Sequence, residues 1–241
     1  MTAYRLGRLS IALSIVTLVL CGVGAGQAPQ PPATAAVADP DPDRFAKAIN
    51  EFERWDSRNS PPHSPVLFVG SSTIVGWKTH ESFPKLPVIN RGFGGAHLSD
   101  VLHYFDRVVK PYPARVILLY AGDNDIADGK TPERVRDDYR TFVQRVRELL
   151  PDTPIIYISI KPSTLRWAQW PQMKAANALI KEMSDASQHL YFADTATPTL
   201  GEDGTPRKQW LKDDGLHLSD EGYRQWTGIV APLIEQALKA K

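Results

Sequence analysis

An α/β fold, with a parallel sheet covered by helices on both faces, is the class this sequence predicts. Three observations carry that expectation. Short apolar runs without alternation, such as residues 66–69 and 115–120, recur along the chain, as strands buried on both faces require. Between them lie stretches whose apolar residues fall three and four apart, the period of an amphipathic helix. The runs end in small or polar clusters, and parallel sheets hold their ligands at the C-terminal ends of strands.

The elements follow in order. Residues 44–58 carry Phe45, Ile49, Phe52 and Trp55 at helical spacing. Residues 66–69 form the first strand and run straight into Gly70-Ser71-Ser72-Thr73. Residues 86–90 are a second short strand, followed by Gly92-Phe93-Gly94-Gly95. Residues 97–109 place Leu98, Val101, Leu102, Phe105 and Val108 on one helical face. Residues 115–120 are the third strand and end at Ala121-Gly122-Asp123-Asn124-Asp125. Thr131-Pro132 starts a helix, with Thr as N-cap and Pro at the first position, and this helix runs to about Leu150. Residues 154–160 are the fourth strand, 171–187 a helix and 190–193 the fifth strand. Residues 219–238 form the last helix, with Trp226, Val230, Leu233 and Ala237 turned inward. Strand and helix alternate throughout, which is the pattern of a parallel sheet.

Composition narrows the function. The chain has 241 residues, 28 Lys+Arg against 27 Asp+Glu, 42% hydrophobic and 23% charged residues. That is ordinary globular usage. It excludes a mostly disordered chain and a nucleic-acid binder driven by bulk positive charge. The single cysteine, Cys21, excludes a disulfide framework and a Cys-rich zinc site. The N-terminus reads as a targeting segment. Arg5 and Arg8 precede an apolar run over 11–23, followed by Gly24, Ala25, Gly26 and Ala28. The run is shorter than the roughly 18 apolar residues of a spanning helix, so residues 1–28 read as a secretory signal peptide. An uncleaved anchor is the alternative. Leu18-Val19-Leu20-Cys21 resembles a lipobox, but Leu20 is bulky where such signals carry a small residue. Residues 29–43 contain Pro29, Pro31, Pro32, Pro40 and Pro42 and read as an extended linker. The expectation is an exported protein, periplasmic or secreted, with its folded domain at 44–241 and no stable membrane insertion after cleavage.

Four chemically loaded clusters sit at strand ends or helix starts: Gly70-Ser71-Ser72, Gly94-Gly95, Gly122 to Asp125, and Asp213-Asp214-Gly215-Leu216-His217. Singly, each has an ordinary reading. Ser72 is an N-cap candidate, Asn124 a turn residue, the glycines turn glycines and His217 a half-buried histidine. Together they supply a hydroxyl, a base, a carboxylate and donors for an oxyanion, the parts of an acyl-transfer site.

In their order, these blocks resemble those of the SGNH (GDSL-like) hydrolases, over residues 66 to the C-terminus. The resemblance implies a flavodoxin-like three-layer α/β/α sandwich with a parallel five-stranded sheet, and ester hydrolysis. It implies Ser72 as nucleophile, His217 as general base and Asp214 as its orienting carboxylate. It implies an oxyanion hole formed by the backbone N–H groups of Ser72 and Gly95 and the side-chain amide of Asn124. The first block departs from the usual pattern, with Ser71 where Asp normally precedes the nucleophile. Asp213 is a rival carboxylate, but the spacing from Asp214 to His217 is the family's.

Other motifs fail. The third glycine of a G-x-G-x-x-G fingerprint would fall at His97. Asp123, Asp125 and Asp128 lack the remaining calcium-loop ligands, and no histidine pair has zinc-site spacing. No cofactor or metal is expected. Trp77, Trp167 and Trp170 are candidates for a substrate rim, or pack against the sheet edge. Arg166 is placed to face a polar or anionic leaving group. The leading function is a serine esterase for short acyl esters, with a small-molecule or saccharide ester as substrate. The same site also suits a carbohydrate O-deacetylase or acyltransferase. A catalytically idle binding domain is the reading from another class, and it has no use for Ser72, Asn124, Asp214 and His217 together.

Overall fold

Five apolar runs form one parallel sheet. The computed structural model describes Thr2 and residues 37–240. Apart from Thr2, the expected signal peptide, Cys21 and the linker up to residue 36 lie outside the described residues. Among the described residues, no helix is long and apolar enough to cross a membrane. The strands are β1 (Val66–Gly70), β2 (Val88–Gly92), β3 (Val116–Tyr120), β4 (Ile155–Ile158) and β5 (Leu190–Ala193). They lie in the order β2-β1-β3-β4-β5, all parallel, which is the flavodoxin-like order.

The helices are α1 (Ala46–Asp56), α2 (Ser72–Val75), α3 (Thr79–Ser82), α4 (Leu98–His103), α5 (Phe105–Val108), α6 (Asp123–Ala127), α7 (Pro132–Leu149), α8 (Trp170–Asp185), α9 (Ala196–Thr199) and α10 (Asp220–Lys239). Side chains alternate across a strand, so each strand feeds two cores. Leu67, Val69, Ile117, Leu119 and Ile155 pack on Ile49 of α1, Val101 of α4, Phe142 of α7 and Ile180 of α8. Val66, Phe68, Val116, Leu118 and Ile156 pack on Ile74 of α2 and on Trp226, Val230 and Ile234 of α10. Each such buried side chain contributes about 1.5–3 kcal/mol, and this double burial is why the strands read as continuous apolar runs.

Helix starts follow their capping residues. Thr131 Oγ1 accepts from the Arg134 N–H at 3.2 Å, with Pro132 next in line. Ser219 Oγ accepts from the Gly222 N–H at 3.2 Å, with Asp220 and Glu221 in the first turn of α10, where acidic groups suit the helix dipole.

Several boundaries differ from expectation. The helix expected over 97–109 breaks at Tyr104, whose φ of −91° and ψ of 12° leave the helical region and separate α4 from α5. The second strand lies two residues later than its apolar run, because register with β1 pairs Val66 with Val88 and Gly70 with Gly92. The first helix begins as a 3-10 turn over Pro42–Phe45, where the Asp41 carboxylate accepts from the Asp43 N–H at 2.9 Å. Just upstream, Asp39 pairs with Lys130 at 2.8 Å and Arg134 at 2.7 Å.

Candidate active site

The site is assembled where β1 and β3 end. Gly70 closes β1 at φ +140°, and a Cβ there would lie 1.9 Å from the Tyr120 carbonyl oxygen. Only glycine permits that approach. It lets the chain turn so that Ser72 opens α2, as expected from sequence. The next loop is fixed to this turn, since the Phe93 N–H donates to the Gly70 carbonyl at 2.9 Å. A Cβ on Gly94 would lie 3.8 Å from Ser72 Cβ. Gly95 has φ +85° with open space where a side chain would be. Among the described residues, neither the Ser72 nor the Gly95 backbone N–H has a hydrogen-bond acceptor.

Asn124 lies in the first turn of α6, directly after β3, and is 8% exposed. Its Nδ2 donates to the Ala96 carbonyl at 3.0 Å, tying the third cluster to the second. A primary amide nitrogen carries two N–H groups, so one remains for a ligand.

The fourth cluster arrives from the loop before α10. His217 Nε2 lies 3.1 Å from Ser72 Oγ, and His217 Nδ1 lies 2.7 Å from Asp214 Oδ2. Asp214 also accepts from the backbone N–H groups of Leu216 at 2.8 Å and His217 at 2.9 Å. The His217 hydrogen bond first, then the two backbone N–H groups, hold the Asp214 carboxyl well below the usual carboxylate range. An ionised carboxylate can only accept, so Nδ1 carries the proton toward Asp214. Nε2 is then left to accept from the Ser72 hydroxyl. Asp213 makes no such contact among the described residues; the carboxylate beside His217 is that of Asp214.

The expected rim residues separate. Trp77 is not at a rim. It is 2% exposed, packs on Phe68, Phe83, Tyr223 and Trp226, and its indole N–H donates to Ser82 Oγ at 3.1 Å. It follows α2 into the core beneath the sheet, where its apolar area is worth most. Trp167 is 38% exposed, and its ring stacks on Trp170 with centroids 6.4 Å apart. Arg166 turns to the third cluster. Its Nη2 donates to Asn124 Oδ1 at 3.0 Å, and its Nη1 lies 3.3 Å from Asp123 Oδ2.

Two buried charged groups lie beside the site, Lys161 outside the four clusters and Asp125 within the third. Lys161 ends 3.8 Å from Asp123 Oδ2 and 3.4 Å from the Tyr120 hydroxyl. Burial pushes its ammonium pKa down, against the opposing pull of Asp123. Asp125, fully buried, accepts from the Leu98 N–H at the start of α4 and from Lys130 at 3.0 Å. The sequence signal for Lys161 was a charged residue at the end of an apolar run; Asp125 stood in the third cluster, but its role as a link to α4 was not legible there.

A parallel sheet of this order, sandwiched between helix layers, defines a flavodoxin-like three-layer α/β/α protein. The model of the GDSL-like lipase/acylhydrolase family matches residues 68–225, more than half of the chain. Solved structures with the same fold include a GDSL-like lipase from Bacteroides thetaiotaomicron, 21% identical with TM-score 0.66, covering 82% of this chain and 98% of that one. A carbohydrate esterase family 3 structure from Talaromyces cellulolyticus is 17% identical with TM-score 0.61, covering 73% and 98%. An acetyl xylan esterase from Geobacillus stearothermophilus is 16% identical with TM-score 0.55, covering 73% and 95%. No curated protein matches the chain. The chain belongs to the GDSL-like lipase/acylhydrolase family and is an enzyme of the acylhydrolase or esterase type.

Proposed function

We propose that this enzyme is an exported serine esterase that hydrolyses short-chain acyl esters, acetyl to butyryl, of sugars or other polar alcohols. The observation that carries the chemistry is the continuous chain from Ser72 Oγ to His217 Nε2 at 3.1 Å and from His217 Nδ1 to Asp214 at 2.7 Å. Ser72 Oγ attacks the ester carbonyl carbon while its proton passes to His217 Nε2. The Asp214 carboxylate holds the ring and stabilises the imidazolium that forms. Negative charge develops on the carbonyl oxygen, facing the Ser72 and Gly95 backbone N–H groups and the free N–H of Asn124. The intermediate collapses, the carbon–oxygen bond to the alcohol breaks, and the alcohol leaves with the proton from His217. Water, deprotonated by His217, then releases the acid from Ser72.

The polar-alcohol preference draws support from Trp167, exposed on the loop after β4 with Trp170 stacked behind it. Flat apolar faces of this kind suit the CH faces of a sugar ring. It is also consistent with the carbohydrate and acetyl xylan esterases that share the fold, whose own substrates their names state. Two measurements test the reading. An organophosphonate should label Ser72 alone, by peptide mass, and Ser72→Ala should lose ester hydrolysis with its fold intact; labelling at Ser71 refutes the nucleophile. A p-nitrophenyl ester series from C2 to C16 should peak at the short end. A maximum at C10 or beyond overturns the acyl preference, and unchanged profiles in both Trp167→Ala and Trp170→Ala overturn the rim.

A further inference from the structure

We propose that Arg166 is a positioning residue for the oxyanion donor Asn124, fixing which end of its amide faces the substrate and strengthening the N–H that remains free. The inference rests on the proposed reading of Asn124 as an oxyanion donor. It begins with an ambiguity in every asparagine: a half-turn of the amide exchanges a donor for an acceptor with almost no change in shape. An inverted Asn124 would aim a carbonyl oxygen at a developing anion. Two contacts exclude that state. Arg166 Nη2 can only donate, and it lies 3.0 Å from Oδ1. The Ala96 carbonyl can only accept, and it lies 3.0 Å from Nδ2. Each pins one end of the amide. A cation donating to Oδ1 also draws electron density toward the oxygen, which makes the opposite N–H a better donor.

Arg166 is itself held from both sides. Its Nη1 lies 3.3 Å from Asp123 Oδ2, and Asp123 Oδ1 accepts the Asn124 backbone N–H at 3.0 Å, so Asp123, Asn124 and Arg166 close a ring. Asp123 is buried, and Lys161 lies 3.8 Å behind it. The Arg166 backbone N–H donates to Ser163 Oγ at 3.3 Å, and the neighbouring Leu165 N–H donates to the Gly215 carbonyl at 3.0 Å, beside Asp214. One loop thus braces the amide and the carboxylate turn together. Preorganisation of this kind acts on the transition state, where the oxyanion exists, more than on substrate binding.

The test is a double-mutant cycle. Arg166→Met keeps the aliphatic stem and removes every donor; Arg166→Lys keeps the charge and a donor. Both are combined with Asn124→Ala, and folding is followed by thermal unfolding. Asn124→Ala alone should lower kcat by roughly 10²–10³. Arg166→Met should lower kcat by roughly 10–100-fold with KM within about twofold, and Arg166→Lys should recover part of the loss. In the Asn124→Ala background, Arg166→Met should cost less than about threefold, because its route of action is gone. An equal loss in both backgrounds, or a raised KM with kcat unchanged, overturns the proposal. If Arg166→Met fails to fold, Arg166→Lys in the two backgrounds decides in the same way. An Asn124→Ala enzyme of normal kcat overturns the oxyanion reading itself, and the role of Arg166 with it.

Discussion

In the proposed mechanism, Asp214 and His217 divide their work by charge. The Asp214 carboxyl is held well below its usual range by the His217 bond and two backbone N–H groups, so it stays ionised wherever the protein is folded and working. A general base must be unprotonated to accept the Ser72 proton, and activity therefore falls as pH falls through the titration of that base. Asp214, already ionised, contributes no limb there. The expected kcat/KM profile has one acid limb, from loss of the unprotonated base. A profile with no acid limb, or an acid limb that survives unchanged in His217→Ala, would remove His217 from its role. That these residues meet was legible in the sequence because type and order carry it: a serine after a strand, an Asn in a Gly-Asp-Asn-Asp turn, an Asp three before a His. The partner of Arg166 was not, because Asn124 and Arg166 are 42 positions apart and meet only through the sheet.

At the scale of elements, legibility followed local causes. Thr131-Pro132 marks the start of α7 by a cap and a fixed φ, both written in adjacent residues. β5 was likewise placed by its own apolar run. The second strand shifted because register is decided by a neighbouring strand, and Trp77 went to the core because its packing partners come from β1, the turn after α3 and α10. The sharpest local demand is at the end of β1. Gly70 has φ +140°, and an added Cβ would lie 1.9 Å from the Tyr120 carbonyl oxygen, a backbone atom that cannot swing away. Gly70→Ala should therefore force β1 and β3 apart at the point where Ser72 is presented. We expect a stability loss on the order of 4 kcal/mol together with lost activity. Gly95→Ala, with open space at its Cβ, should meet only the strain of its positive φ, roughly 1–2 kcal/mol. Urea unfolding of the two variants checks the order; equal losses would show that the β1–β3 approach is not the constraint.

Across the whole domain, the segment before α1 is part of the scaffold that carries the site. Asp39 accepts from Lys130 at 2.8 Å, Lys130 reaches Asp125 at 3.0 Å, and Asp125 accepts from the Leu98 N–H that starts α4. The chain of contacts runs from residue 39 to the helices flanking Gly95 and Asn124. Burial alone would push the Asp39 carboxyl up, but the hydrogen bonds from Lys130 and Arg134 outweigh it and hold the pKa at about 2. The sign follows from linkage: a carboxyl whose folded pKa is depressed stabilises the fold above its unfolded pKa of about 3.9 and loses that contribution as pH falls toward 2. With a side chain 43% exposed, solvent screening reduces the effect, and Asp39→Asn should cost about 1 kcal/mol at pH 7. The gap between wild type and variant should narrow below about pH 4 and close near pH 2. Thermal unfolding across that range measures it. A gap that stays constant from pH 7 to pH 2 would mean that the Asp39 charge does not hold this segment on the domain.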